Sequence, residues 1–241
     1  MTELPPPILE TPPTESTPPV PWSFRDTWIG FGIFILCLIG VGLLPALFPE
    51  DSWMTTVWVL AYQPLQFTPI LILLIMRGAT WANVGFQKAQ PNVMAIGCGV
   101  LVLLFGLNAV NNLVMFALGV EIQAEQFSNL LASLEQPAAL LITGILFAPL
   151  LEETIFRGFL FNGLRQKWGW VTAALVSSTI FAAGHLSIAA FIPTFALGFL
   201  FAYLYQKSNS IWPGIILHTL INSVSLCALL TLVQSGIPLE F

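Results

Sequence analysis

The chain has 241 residues, of which 56% are apolar and only 8% charged, with a mean hydropathy of +0.85. An ordinary soluble domain carries roughly 25% charged residues and needs them to clothe a water-facing surface, so this composition excludes a soluble globule and implies an integral membrane protein. The formal charge of −5 falls mainly on acids in the tail, the loops and one central span, with no basic patch, which excludes nucleic acid as a partner.

Residues 1–22 hold eight prolines and three glutamates and no apolar run long enough for a signal-peptide core, which predicts a disordered, partly polyproline tail. Seven apolar runs follow, each close to the ~20 residues that cross ~30 Å of hydrocarbon. They are Thr27 to Phe48, Trp53 to Met76, Val93 to Gly119, Ala138 to Leu164, Trp170 to Leu186, Ile192 to Gln206 and Ile211 to Val233. The fifth and sixth are short and joined by the apolar connector SIAAFIP, which predicts a hairpin whose apex stays inside the protein. The expected fold is an all-α polytopic bundle of about seven transmembrane helices. It divides into the tail (1–22), N-terminal transmembrane helices (23–137) and a core that carries the polar motifs (138–241).

Basic residues supply an independent check, because cytoplasmic loops retain Lys and Arg. Arg25 precedes the first run, Arg77 and Lys88 separate the second from the third, Arg165 and Lys167 the fourth from the fifth, and Lys207 the sixth from the seventh. Every second connection is therefore basic, which predicts a cytoplasmic N-terminus and puts PEDS and the loop with Glu121, Glu125 and Glu135 outside. Arg157 alone lies within a run and needs a partner. Cys37, Cys98 and Cys227 are scattered without CxxC spacing and suggest packing rather than a disulfide framework or a thiolate metal site.

The fourth run contains LLEETIFRGFLF. Ionisable groups inside the membrane are costly and usually face a wet cavity. On a helix Glu153 and Arg157 are four apart and can pair, whereas Glu152 is turned by about 100° and looks elsewhere. One acid is then structural and Glu152 is free to act as a general base, with Pro149 three residues earlier positioned to kink the helix and admit water. In the fifth run FAAGH ends at His185, and in the seventh His218 and Asn222 share a face in HTLIN. Taken singly these are packing or interhelical hydrogen-bonding residues. Counted from the cytoplasmic ends at 1.5 Å per residue, however, Glu152, His185 and His218 fall at roughly 10 to 21 Å depth, within reach of one cavity.

EETIFR, FAAGH and HTLIN together resemble the EExxxR, FxxxH and HxxxN motifs of the CPBP intramembrane proteases, the family that joins type II CAAX prenyl endopeptidases with bacteriocin-processing and immunity proteins. The motifs occur in that family's order across Ala138 to Val233. The resemblance implies peptide-bond hydrolysis within the membrane, with Glu152 deprotonating water, His185 helping to position it, and His218 and Asn222 stabilising the oxyanion. Glu153 and Arg157 would support them. It further implies a membrane-associated or lipidated protein substrate, prenylated or not, beside the bilayer itself as partner.

Two questions stay open at this point. Glu152, His185 and His218 are acceptable zinc ligands, yet HExxH is absent and the chemistry is equally that of a glutamate-activated water without a tightly bound ion. A non-catalytic membrane scaffold or partner-binding protein that keeps the fold would also retain these residues; a proton-coupled carrier is disfavoured by the absence of an internal repeat. The modest loops and the span count fit a bacterial or organellar inner membrane.

Overall fold

The computed structural model describes residues 18–43, 52–120 and 137–234. Among them there is no strand, and each of the seven apolar runs is helical. The helices are α1 (Phe24–Leu43), α2 (Ser52–Met76), a single-turn α3 (Trp81–Val84), α4 (Pro91–Ala117), α5 (137–168), α6 (170–184), α7 (Ile188–Ser208) and α8 (Trp212–Gln234). Among the described residues four stretches, Phe24–Leu43, Pro91–Ala117, Ile188–Ser208 and Trp212–Thr231, are long and apolar enough to cross a membrane.

Local sequence explains the ends. Ser23 and Asp26 cap α1 reciprocally: the Ser23 N–H donates to Asp26 Oδ2 at 2.9 Å and the Asp26 N–H to Ser23 Oγ at 3.1 Å. Thr80 and Asn83 repeat that box on α3, Pro91 starts α4, and Ser187 caps α7 by accepting from the Ala190 N–H. Gly169, at φ 72° and ψ 164°, breaks what would otherwise be one rod into α5 and α6.

α5 is irregular where it matters. Two π-helical segments, Thr143–Phe147 and Thr154–Phe161, flank the α-helical turn Ala148–Glu153 that carries both glutamates. The Ala148 N–H bonds to Thr143 O, five residues back. In that register the next residue would serve Gly144 O, but it is Pro149, which has no N–H. The Asn222 carboxamide on α8 takes that carbonyl instead, at 2.7 Å.

The bundle is packed around α5. Phe159, Leu160, Phe161 and Leu164 are fully buried against Phe31 of α1, Ile70 of α2, Val84 of α3 and Ala173 and Ala174 of α6. Facing outward, Leu36, Ile75, Met76, Val102, Leu103 and Leu113 are among the strongly exposed apolar side chains, as a lipid-facing surface requires. α4 shows the contrast along one helix: its inward positions begin apolar at Val93, Gly97 and Leu101 and become polar at Asn111.

Three expectations need correction. The SIAAFIP segment is not a connector: Ser187 is the cap and Ile188 to Pro193 already belong to α7, so the turn is confined to residues 185–187 and only α6 is short. Serine at the cap marks the helix start, and Pro193, in the second turn, leaves Ala189 O to accept from Asn111 instead, so apolarity alone misplaced the boundary. Arg165, read as part of the connection between the fourth and fifth runs, lies within α5 and is 3% exposed. Residues 18–22 of the expected tail are instead tied to the bundle, since Trp22 is 3% exposed with its ring 5.6 Å from Phe159, and Gln166 donates to Pro18 O. Residues 1–17 and the loop with Glu121, Glu125 and Glu135 lie outside the described residues, as do positions 49–51 of PEDS.

The basic connections gather at one end of the bundle. Arg77 pairs with Asp26, Lys167 lies 4.7 Å over the Phe24 ring, and Gln87 donates to Asn209 O. Arg165 joins them by donating to Asn162 Oδ1, Gln206 Oε1 and Asn209 Oδ1 at 3.0, 2.8 and 2.8 Å.

Candidate active site

Glu153 and Arg157 form the i,i+4 pair that the spacing predicts. Arg157 Nη1 donates to Glu153 Oε1 at 2.7 Å, and both side chains are essentially inaccessible. The guanidinium also donates to Gly198 O at 3.0 Å and lies 4.4 Å and 5.2 Å over the rings of Phe181 and Phe201. A planar cation between aromatic faces, a carbonyl and a carboxylate is the geometry in which arginine rather than lysine is required. Glycine makes room for the pair: a Cβ at Gly214 would stand 2.6 Å from Glu153 Oε2, and one at Gly198 would stand 3.1 Å from Arg157 Nη2.

Glu152 faces the other way, into a cavity of about 460 Å³. Its side chain keeps 24% of its surface, yet Oε2 is buried without a hydrogen-bond partner among the described residues. His218 stands between the two acids, with Nε2 3.9 Å from Glu152 Oε2 and Nδ1 3.4 Å from Glu153 Oε1. Its ring is stacked on Phe201 at 5.5 Å and meets the edge of Phe181 at 5.9 Å. A mobile imidazole would sample several rotamers; two aromatic walls leave one orientation.

His185 closes α6. Its Nδ1 is 2.9 Å from Phe181 O, and because a carbonyl only accepts, Nδ1 carries the proton and Nε2 is the free acceptor of the neutral ring. Among the described residues no ion pair joins His185 to Glu152.

The structure therefore brings Glu152, His185, His218 and Asn222, from α5, the end of α6 and α8, to the lining of one cavity. It puts Glu153 and Arg157 behind that lining. Asn222 differs from expectation in one respect: one of its amide hydrogens is engaged by Gly144 O, which leaves the other for the cavity. Glu152, His185 and His218 do not make a metal cage, since among the described residues no three His, Cys, Asp or Glu side chains approach closely enough to hold an ion.

Sequence reasoning missed Phe201 entirely and gave Phe181 no task. Phe181 holds three site residues at once: its carbonyl anchors His185, its face Arg157 and its edge His218. Its place in FAAGH was a signal for the first of these. Nothing in the sequence links Phe201 to His218.

Fold and site together define a helical membrane protein with a chamber between α4 and its C-terminal helices, into which a few polar groups converge. Residues 134–224 match the family model described as type II CAAX prenyl endopeptidase Rce1-like. The chain is similar to YdiL of Bacillus subtilis (strain 168), whose name assigns it provisionally to the membrane peptidases, with 27% identity over 157 residues, 64% of each chain. It is also similar to the UPF0177 protein YxdF of Lactococcus lactis subsp. lactis (strain IL1403), with 33% identity over 82 residues, 34% of this chain and 44% of that one. The matched region thus spans less than two thirds of either relative. No solved structure matches.

Proposed function

We propose that the chain is an intramembrane endopeptidase and that the cavity beside Glu152 is its active site. The observation that carries this reading is Glu152, which lines a cavity shared with two imidazoles and a carboxamide and whose Oε2 has no hydrogen-bond partner among the described residues, while the adjacent Glu153 is paired with Arg157. Arg157 is paired with Glu153, and a carboxylate left outside such a pair is available to move a proton.

Glu152 takes a proton from water; the water oxygen attacks the carbonyl carbon of the scissile bond, and its negative oxygen is met by His218 and the second amide hydrogen of Asn222. The carboxyl proton then passes to the nitrogen as the C–N bond breaks, releasing an amine and a carboxylic acid. His185 Nε2, an acceptor, helps to orient the water. The family description supports a membrane-associated or lipidated protein substrate, cleaved near its C-terminus. The end with Arg25, Arg77, Lys88, Arg165, Lys167 and Lys207 faces the cytoplasm, because basic loops are retained there.

Glu152→Gln keeps shape and removes the base. Comparing C-terminal peptides of the membrane fraction from cells with the unaltered chain and with Glu152→Gln should show substrates that stay uncleaved only in the variant, at equal protein abundance. A native substrate cleaved at an unchanged rate would refute the assignment. The donor geometry favours water activated by glutamate, so activity should survive a strong chelator; stoichiometric zinc bound through His185 and His218 would overturn that.

A further inference from the structure

The cavity has polar groups on α4, an element outside the matched family stretch that carries none of the active-site residues. Asn108 and Asn112 line it there. Being four apart, they share one face of α4, about 6 Å from each other along its axis. Asn111 is turned by about 100° from Asn112 and does the usual work of a membrane asparagine, donating to Ala189 O at 2.7 Å and pinning α4 to the first turn of α7. That bond fixes the rotation of α4 and so the direction of the other two. Both are half-buried, and among the described residues neither has a hydrogen-bond partner in the protein. Unpaired carboxamides at membrane depth are costly unless a cavity or a ligand meets them.

We propose that Asn108 and Asn112 bind the main chain of an extended peptide. Each carboxamide offers an acceptor and two donors, the complement of a peptide's N–H and C=O. An extended strand repeats the groups on one edge every second residue, about 6.6 to 6.8 Å, close to the spacing of the pair. A peptide in this cavity has lost water and needs such partners, and Leu101, Leu104 and Phe105 beside them give its side chains an apolar surface. Contacts of this kind are indifferent to sequence. They fix the direction and register of the chain relative to Glu152. As a substrate subsite the pair rests on the protease reading; as a peptide-binding wall it does not.

Capture without turnover tests it. The probe is a mixed-sequence pool of N-palmitoylated short peptides bearing a photoreactive diazirine, offered to full-length Glu152→Gln protein in phosphatidylethanolamine and phosphatidylglycerol liposomes. The expected result is capture on α4 that falls about tenfold when the backbone amides are N-methylated, and about tenfold in Asn108→Leu/Asn112→Leu. Equal capture of the N-methylated pool, undiminished capture by the double variant, or no capture by the unaltered wall overturns the inference; the N-methylated pool acts on intact protein and is independent of any folding defect in the variant. Amide-dependent capture combined with unchanged cleavage in Glu152→Gln cells would remove the protease reading and leave the wall standing. Lost cleavage combined with amide-independent capture would do the reverse.

Discussion

Two adjacent glutamates differ because one helical position separates them by about 100°. Glu153 points at Arg157 and is sealed; Glu152 points at the cavity. Spacing alone predicts the split, and the structure adds that His218 lies between the two acids rather than beside one. Their substitutions should therefore act on different properties. Arg157→Ala leaves Glu153 buried and unpaired, and breaking a buried pair in this way costs about 3 to 5 kcal/mol, so it should lower thermal unfolding in detergent and cellular abundance. Arg157→Lys should recover only part of that loss, since an ammonium cannot meet Glu153, Gly198 O and two aromatic faces together. Glu152→Gln should unfold at the unaltered temperature. The aromatic supports were the illegible part at this scale: Phe201 is one of many phenylalanines in apolar spans, and only the crossing of α7 and α8 gives it to His218.

The irregularity of α5 is a property of the element and of its neighbour together. Pro149 reads from sequence as a kink; what it produces is a π turn whose stranded carbonyl is adopted by Asn222 on α8. The arrangement ties the site-bearing turn of α5 to the helix that carries His218, and it predicts coupling between two residues that do not touch. Asn222→Ala alone leaves Gly144 O without its partner, at about 1 to 3 kcal/mol. In the Pro149→Ala background residue 149 regains an N–H, and the same Asn222→Ala change should cost markedly less. Additive losses in that double-mutant cycle, read by thermal unfolding, would show that the carbonyl is satisfied in another way. The α6–α7 turn was misread for a related reason. Apolar periodicity marks where a chain is buried, whereas helix starts are set by side-chain caps, and Ser187 was the signal.

Across the whole molecule, one end is held by polar bonds and the middle by aromatic packing. Arg165 draws together α5, the end of α7 and Asn209 after it, with its guanidinium 5.0 Å over the Tyr205 ring. Tyr205 in turn donates to Val84 O and accepts from Asn162. Arg165→Leu would orphan three carboxamide oxygens and should destabilise the bundle by about 3 kcal/mol in a detergent unfolding assay, without the selective loss of turnover expected of Glu152→Gln. Cleavage lost at unchanged stability would instead place Arg165 in the chemistry.

The sequence by itself determined the solvent of this protein, the position of its helices to within a few residues, the pairing of Glu153 with Arg157 and the separate fate of Glu152. These follow from composition and from periods of 20 and 3.6 residues, which act locally along the chain. Only the tertiary structure decided that Glu152, His185, His218 and Asn222 share one cavity, that Asn222 braces Gly144, and that Arg165 and Trp22 are buried. Those are relations between helices, and the rotation of each helix about its axis is set by small contacts such as Gly214 against Glu153 and Asn111 against Ala189, which no periodicity along a single chain records.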